Sequence, residues 1–237
     1  MKLWVLVPVQ PLGKGKSRLS AVLSVEERAE LSRRILVREL GVIQDAQIAE
    51  RTLVVSRDPL VLAEAEQMGV TALREQRPGL NHALRQARRA AVMGFAQAVL
   101  VLPADLPLLT GADLQRMAAQ AIAGAPVTIA PSHDGGTNAL LLSPPDIIDF
   151  AFGVESFARH LELARQAGVA PQIVHSPTLA LDIDWPMDLA RLKQVHAHQL
   201  AANPAPQHHK PDGNHRRDSA PDLCAGGAPT AGFGHDE

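Results

Sequence analysis

Three aspartates stand where apolar segments run out. Asp105 follows "AVLVLPA" and is held between Pro103 and Pro107 in "LPADLPLL", while Asp182 and Asp184 alternate in "LALDIDWP". Along an extended segment alternate side chains leave the same face, so the last two form a same-side pair of carboxylates that repel unless a cation sits beside them. With Asp105 they could make a cage for one or two divalent cations, the arrangement that phosphoryl and nucleotidyl transfer use to neutralise developing charge. Other uses stay open at this point. Asp105 could form a turn or cap a helix, although "TGAD" downstream already supplies a cap, and Asp184 could cap a helix beginning at Trp185-Pro186.

A second loaded stretch is "VQPLGKGKSRLS", directly after "LWVLVPV". A P-loop needs a glycine five positions before the Gly15-Lys16-Ser17 triplet, and Gln10 stands there, so that motif fails. Gly13 and Gly15 still let backbone amides approach a ligand, and Lys14, Lys16 and Arg18 supply positive charge, a combination that suits a polyphosphate. An ordinary solvated basic loop is the competing reading. A third stretch, "SHDGGTNALLLSPPDIIDFAFGVESFARH", offers Thr137 and Asn138 after a glycine pair, then Gly153 and Ser156 ahead of a helix carrying Arg159 and His160. Amides and a hydroxyl at a helix start make an anion site, compatible with Ser156 as a plain N-cap. His160 reads as a general base or as a surface or packing residue. In "RPGLNHAL", Asn81 is placed to cap a helix or to meet a nucleobase, the cap being the safer reading.

The elements that must position these residues follow from hydrophobic periodicity. Short apolar runs "LWVLVPV", "TLVVS", "VTAL", "AVLVLPA", "VTIAP" and "NALLLS" alternate with amphipathic segments "SVEERAELSRRILVRELGVI", "DPLVLAEAEQMG", "LNHALRQARRAAVMG" and "TGADLQRMAAQAIAG". Such a pattern predicts an α/β domain with a parallel-rich sheet covered on both faces. A further helix, "ESFARHLELARQAG", follows "FAFG", and the last one, "WPMDLARLKQVHAHQL", follows an acidic strand end, "LALDID". Ser24 with Glu27 predicts a capping box, Asp58-Pro59 a helix start, and Gly69 and Gly94 helix stops. In open α/β sheets ligands bind beyond the carboxyl ends of the strands, which is where the loaded stretches fall.

Length and charge narrow the function. At 237 residues with 46% hydrophobic content, the chain suits one buried domain. A net charge of -2 gives no electrostatic case for a nucleic-acid duplex or an anionic membrane. No apolar run approaches the roughly 20 residues of a membrane span and no leader pattern is visible, so a cytoplasmic protein is expected. Its one cysteine, Cys224, cannot form an internal disulfide. Residues 201–237 are rich in proline, glycine, alanine and histidine, which predicts a disordered tail after a domain of residues 1–200, with His208 and His209 as solvated residues.

Taken in order, "VPVQPLGKGKSRLS", "PGLNHAL", "LPADLPLL", "GGTNALLL", "FGVESFARH" and "LDIDWPMDL" resemble the guanylyltransferases of coenzyme F-420 biosynthesis, a branch of the GT-A-like, Rossmann-like nucleotidyltransferases. The resemblance covers roughly the first 190 residues. It implies transfer of a guanylyl group from GTP to 2-phospho-L-lactate, phosphoenolpyruvate or 3-phospho-D-glycerate, with release of diphosphate and delivery of the product to the next enzyme of that pathway. It also implies Mg2+ held by Asp105, Asp182 and Asp184, the phosphorylated acid at Thr137, Gly153 and Ser156, and the GTP phosphates at Lys16, Ser17 and Arg18. Gly13 and Lys14 belong to the same nucleotide-binding loop, and Asn81 lies by the guanosine. Lys16, Arg18 and Asp105 would carry the catalysis. Gln10 departs from the lysine the family often has there, and Lys14 is the residue placed to replace it. A homodimer stays open. The rival readings are another GT-A-like nucleotidyltransferase, of molybdenum-cofactor or sugar 1-phosphate type, a non-catalytic nucleotide-binding module, and a structural protein.

Overall fold

The computed structural model describes residues 1–192 and 194. The expected tail, with His208, His209 and Cys224, and the end of the last expected helix lie outside the described residues. The chain runs β1 (Leu3–Pro8), a 3-10 turn (Ser17–Ala21), α1 (Val25–Ala46), β2 (Arg51–Ser56), α2 (Pro59–Gln67), β3 (Thr71–Arg74), α3 (Leu80–Met93) and β4 (Ala98–Val101). It continues through α4 (Gly111–Ile122), β5 (Val127–Pro131), β6 (Thr137–Leu142), α5 (Ser156–Gln166) and β7 (Gln172–Ile173); residues 186–192 are helical again. Among the described residues, no helix is long and apolar enough to cross a membrane.

All seven strands form one sheet in the order β3-β2-β1-β4-β6-β5-β7. It is mostly parallel, as the continuous apolar runs require; β6 alone runs antiparallel to its neighbours β4 and β5. Strand alternation sorts the core into two layers. Leu3, Val5 and Val7 of β1 pack with Leu36 and Leu40 of α1, Val61 of α2 and Met117 of α4. Trp4 and Leu6 pack on the opposite face with Leu84 and Ala87 of α3 and Ala164 of α5. A strand that feeds helices on both faces must be apolar at every position, and β1 is buried throughout.

Helix punctuation follows the sequence closely. Ser24 and Glu27 form a reciprocal capping box on α1, Asp58 caps α2 with Pro59 at its first turn, and Thr110 with Asp113 makes a second box on α4. Three expectations need correction. In the segment "LALDID", Leu179 and Ala180 lie in a turn and residues 181–184 join no strand of the sheet; the Ile183 amide donates to the Asp105 carbonyl at 3.3 Å instead. The short strand β7 carries no periodic signal at two residues and was not expected. Asn81 does not cap α3: Gly79 is the N-cap, and Asn81 sits inside the first turn.

The chain order reverses between β1 and β4, since the connection after β1 leads outward to β2 and β3 while β4 adds on the other side. The loops after these two strands part there and open a crevice at their carboxyl ends. The loop after β1 carries the basic cluster, and the loop after β4 carries Asp105.

Candidate active site

Side-chain oxygens of Asp105, Asp182 and Asp184 lie within 4.8 Å of one another. The convergence has a simple cause. Ile183 is fully buried with Leu19 and Ile35 in a small apolar plug, and burying the middle residue of an extended triplet turns both flanking carboxylates to the opposite side. Asp188 removes the competing role for Asp184: its Oδ2 accepts from the Asp184 and Trp185 amides at 3.1 and 2.7 Å, so the helix start is capped without the Asp184 side chain.

This cluster is electrostatically poised. Burial pushes the Asp105 carboxyl up to about 6, with Asp182 and Asp184 adding to the shift and Lys16 opposing it. Burial likewise raises Asp182. Oδ1 of Asp105 and Oδ1 of Asp182 are covered from solvent and lack any hydrogen-bond partner. Covered, crowded carboxylate oxygens without donors are costly unless a cation occupies the space between them, and three oxygen ligands at this spacing match the preference of a hard divalent ion. The donor set therefore fits a metal of the magnesium class.

The basic turn is fastened to the acidic segment. Lys16, in the left-handed region at φ 53, sends Nζ to the Ile183 carbonyl at 2.7 Å. Arg18 lies 3.2 Å from Asp184 and 4.7 Å above the centre of the Trp185 ring. The same plug that turns the aspartates holds Leu19, so one apolar contact registers both halves of the site. Gly15 and Lys16 line one wall of the crevice whose floor includes Asp105 and Asp184. Ser17 opens the 3-10 turn, and Gly13 lies in the tight turn closed by the Lys14 and Gly15 amides on the Pro11 carbonyl at 2.8 and 3.1 Å. Lys14 and Gln10 share a neighbouring cavity of about 210 Å³ with Arg57, Glu75 and Gly79.

The expected acid-binding residues gather around His160. Its ring contacts Thr137 Oγ1 at 3.0 Å through Nδ1 and accepts the Ala151 amide at Nε2, 3.1 Å away, which anchors the turn that ends at Gly153. Ser156 precedes it by one helical turn and is buried; Glu155, not Ser156, is the N-cap. His160 is fully covered, so the surface reading of it is excluded. Asn81 fastens the same turn from α3: its amide donates to the Phe152 carbonyl at 3.0 Å and its oxygen accepts the Phe152 amide at 2.9 Å. Asn81 thus stands where the cavity beside Gly79 meets the Gly153 turn. Asn138 donates to Leu179 at 2.8 Å and the His133 amide donates to Ala180 at 3.1 Å, which join this region to the acidic segment.

Sequence reasoning passed over two carboxyls. Asp188 has a usable signal, an acid three residues after Trp185 at a helix start. Glu39 has a subtler one, an acid on the apolar stripe of α1 between Leu36 and Ile43. It is fully buried; burial and the nearby Asp105 charge push its carboxyl well above the usual range.

Comparison with known proteins agrees with this geometry. Residues 3–203 match the family described as "Guanylyl transferase CofC like". The chain is 44% identical to the phosphoenolpyruvate guanylyltransferase of Rubrobacter xylanophilus over 81% of its own length and 94% of that protein. It is 35% identical to the 2-phospho-L-lactate guanylyltransferase of Methanothermobacter thermautotrophicus, covering 81% and 84%. A solved nucleotidyl transferase from Methanothermobacter thermautotrophicus superposes with a TM-score of 0.60 at 18% identity, covering 85% of this chain and 99% of that one, a likeness of fold. The chain is a GT-A-like nucleotidyltransferase and belongs to the CofC-like guanylyltransferase family.

Proposed function

We propose that the protein joins GTP to a phosphorylated three-carbon acid, 2-phospho-L-lactate, phosphoenolpyruvate or 3-phospho-D-glycerate, in coenzyme F-420 biosynthesis, releasing diphosphate. The observation that carries this reading is the convergence of Asp105, Asp182 and Asp184 within 4.8 Å opposite the Lys16 and Arg18 turn. A phosphate oxygen of the acid attacks the α-phosphorus of GTP; the new P–O bond forms as the bond to the β-phosphate oxygen breaks. The attacking phosphate is already ionised near neutral pH, so no side-chain base is needed.

The protein's work is alignment and charge neutralisation. Asp105, Asp182 and Asp184 would hold Mg2+, which when bound supplies positive charge to the reacting phosphates. Lys16, Ser17 and Arg18 meet the triphosphate, and the Gly13-Lys14 turn borders it. Lys14 lines the same cavity as Gln10 and takes the cationic role that Gln10 cannot. That cavity, with Gly79 on its wall and Asn81 behind it, receives the guanosine. Thr137, Gly153 and Ser156 receive the acid. Residues 1–200 form the catalytic unit, so deletion after Leu200 leaves turnover intact. The location is cytoplasmic, with the labile product passing to the next enzyme.

Mass spectrometry of products from GTP, Mg2+ and each of the three acids, coupled to the next pathway enzyme, tests the reading. A guanylylated acid is expected. Label incorporated from CTP or UTP but not from GTP would remove it.

A further inference from the structure

His160 is fully buried, on α5, and its two ring nitrogens face different partners. The backbone amide of Ala151 can only donate, and it points at Nε2 from 3.1 Å. Nε2 must therefore carry a lone pair. A neutral imidazole with an unprotonated Nε2 has its hydrogen on Nδ1, and the burial that pushes His160 down to about 4 keeps the ring neutral. Nδ1 then donates to Thr137 Oγ1 at 3.0 Å. The consequence falls on the threonine. Its oxygen is taken as an acceptor, so its own hydrogen must go elsewhere, and no acceptor for it exists among the described residues. Thr137 is only 5% exposed, and a covered hydroxyl donor without an acceptor is the kind of group that proteins otherwise satisfy.

We infer that His160 is a positioning residue that fixes the Thr137 hydroxyl as a hydrogen-bond donor to the anionic acid substrate, while its other nitrogen holds the Ala151 amide and with it the Gly153 turn. This rests on the placement of the acid at Thr137. The device has a chemical logic: an unconstrained threonine can turn its oxygen lone pairs toward an incoming carboxylate or phosphate and repel it, whereas a threonine that already accepts from a fixed N–H meets the anion with its hydrogen. The ring is itself held by Phe152, edge-on at 4.9 Å between centres, and Asn81 holds Phe152. The tautomer of one buried ring thus orders contacts on both sides of the acid.

A double-mutant cycle on the full chain tests this, with initial rates measured against phosphoenolpyruvate, 2-phospho-L-lactate or 3-phospho-D-glycerate, whichever is turned over. His160→Asn places an amide N–H near the Nδ1 position, whereas His160→Leu removes both hydrogen bonds. His160→Leu is expected to raise the KM for the acid about tenfold, the loss of one hydrogen bond to a charged group, with the KM for GTP unchanged. His160→Asn is expected to restore most of that loss. In a Thr137→Val background, which lacks the hydroxyl, His160→Leu should add only the smaller loss that comes from releasing the Ala151 amide and the Gly153 turn. Thr137→Val without effect on the acid KM would overturn the placement of the acid, and this inference with it. A Thr137→Val effect to which His160→Leu simply adds, or equal losses in kcat and in both KM values, would overturn the positioning role alone. Should His160→Leu fail to fold, the decision passes to His160→Asn: a tenfold rise in its acid KM with unaltered melting overturns the inference, and near wild-type values support it.

Discussion

Arg18 and Asp184 pair at 3.2 Å across 166 residues of chain, with both side chains well exposed to solvent. An exposed ion pair of this kind contributes at most about 1 kcal/mol to stability, so stability does not account for a cation at this place. The pair also competes with any metal for Asp184. Arg18→Ala is therefore expected to leave thermal melting nearly unchanged while lowering kcat/KM for GTP by about 10²-fold, the effect of losing one charge-stabilising donor. Melting curves and initial rates on the same preparation check this. A variant with wild-type turnover would remove Arg18 from the site.

Asp105→Asn probes the metal assignment through stability as well as rate. The Asp105 carboxyl is raised in the folded chain to about 6 from an ordinary 3.8, so its ionisation is disfavoured by the fold. Its contribution is fully present below 3.8 and is lost as pH rises through 6. Without divalent ions, the asparagine variant should melt at the same temperature as the parent or higher at pH 8, where it escapes the crowded charge. Added Mg2+ should raise the melting temperature of the parent alone, and turnover of the variant should fall at least about 10³-fold. Equal Mg2+ stabilisation of both proteins would contradict the assignment.

Gly136→Ala tests the turn that leads into Thr137. A Cβ there would lie 2.6 Å from Ser132 Oγ and 3.3 Å from Asp134 Oδ1, inside the short hydrogen bond that joins those two side chains. The Ser132 side chain must turn away and give up that bond, at a cost of about 1–3 kcal/mol, which loosens the turn leading into Thr137. We expect a lower unfolding midpoint in urea and a several-fold higher KM for the acid, with the KM for GTP retained. Gly41→Ala in the middle of α1, where nothing lies within 4 Å, is the control and should hold or gain stability.

The contrast between these positions shows what the sequence made legible. Helix caps at Ser24, Asp58 and Thr110 are local decisions, each taken within four residues, and all could be read from the chain. The α/β layering was legible because β1 is apolar at every position. The acidic triad was legible only in part. Alternation put Asp182 and Asp184 on one side, but their meeting with Asp105 depends on Ile183 seating against Leu19 and Ile35, a contact between segments far apart in sequence. "LALDID" was misassigned as a strand end because an extended segment pinned by an apolar plug has the same alternation as a strand. Asn81 illustrates another limit: its side chain serves Phe152, 71 residues away, and no local propensity encodes that partner. His160 had no local signature at all, since a histidine on a helix reads alike whether it faces solvent or sits beneath a turn.

The buried state of His160 also predicts how stability depends on pH. Burial holds the ring near 4 in the folded chain, against about 6.5 when unfolded. Above pH 6.5 neither state binds the proton and the full contribution of the neutral ring is present. As pH falls from 6.5 toward 4, the unfolded chain takes up a proton that the folded chain refuses, so stability is lost across that window, by on the order of 3 kcal/mol in all. Carboxylates titrate over part of the same range, and Asp105 works in the opposite sense, so the wild-type curve alone does not isolate the histidine. The difference from His160→Asn does, because every other group is shared. Urea unfolding at pH 7.5, 5.5 and 4.5 should show the advantage of the wild type over the variant shrinking steadily with acidification. Parallel curves would mean that the ring titrates in the folded protein as it does in the unfolded chain, and a wild-type advantage that grows with acidification would mean that the folded ring is protonated; either result contradicts a ring held neutral by burial.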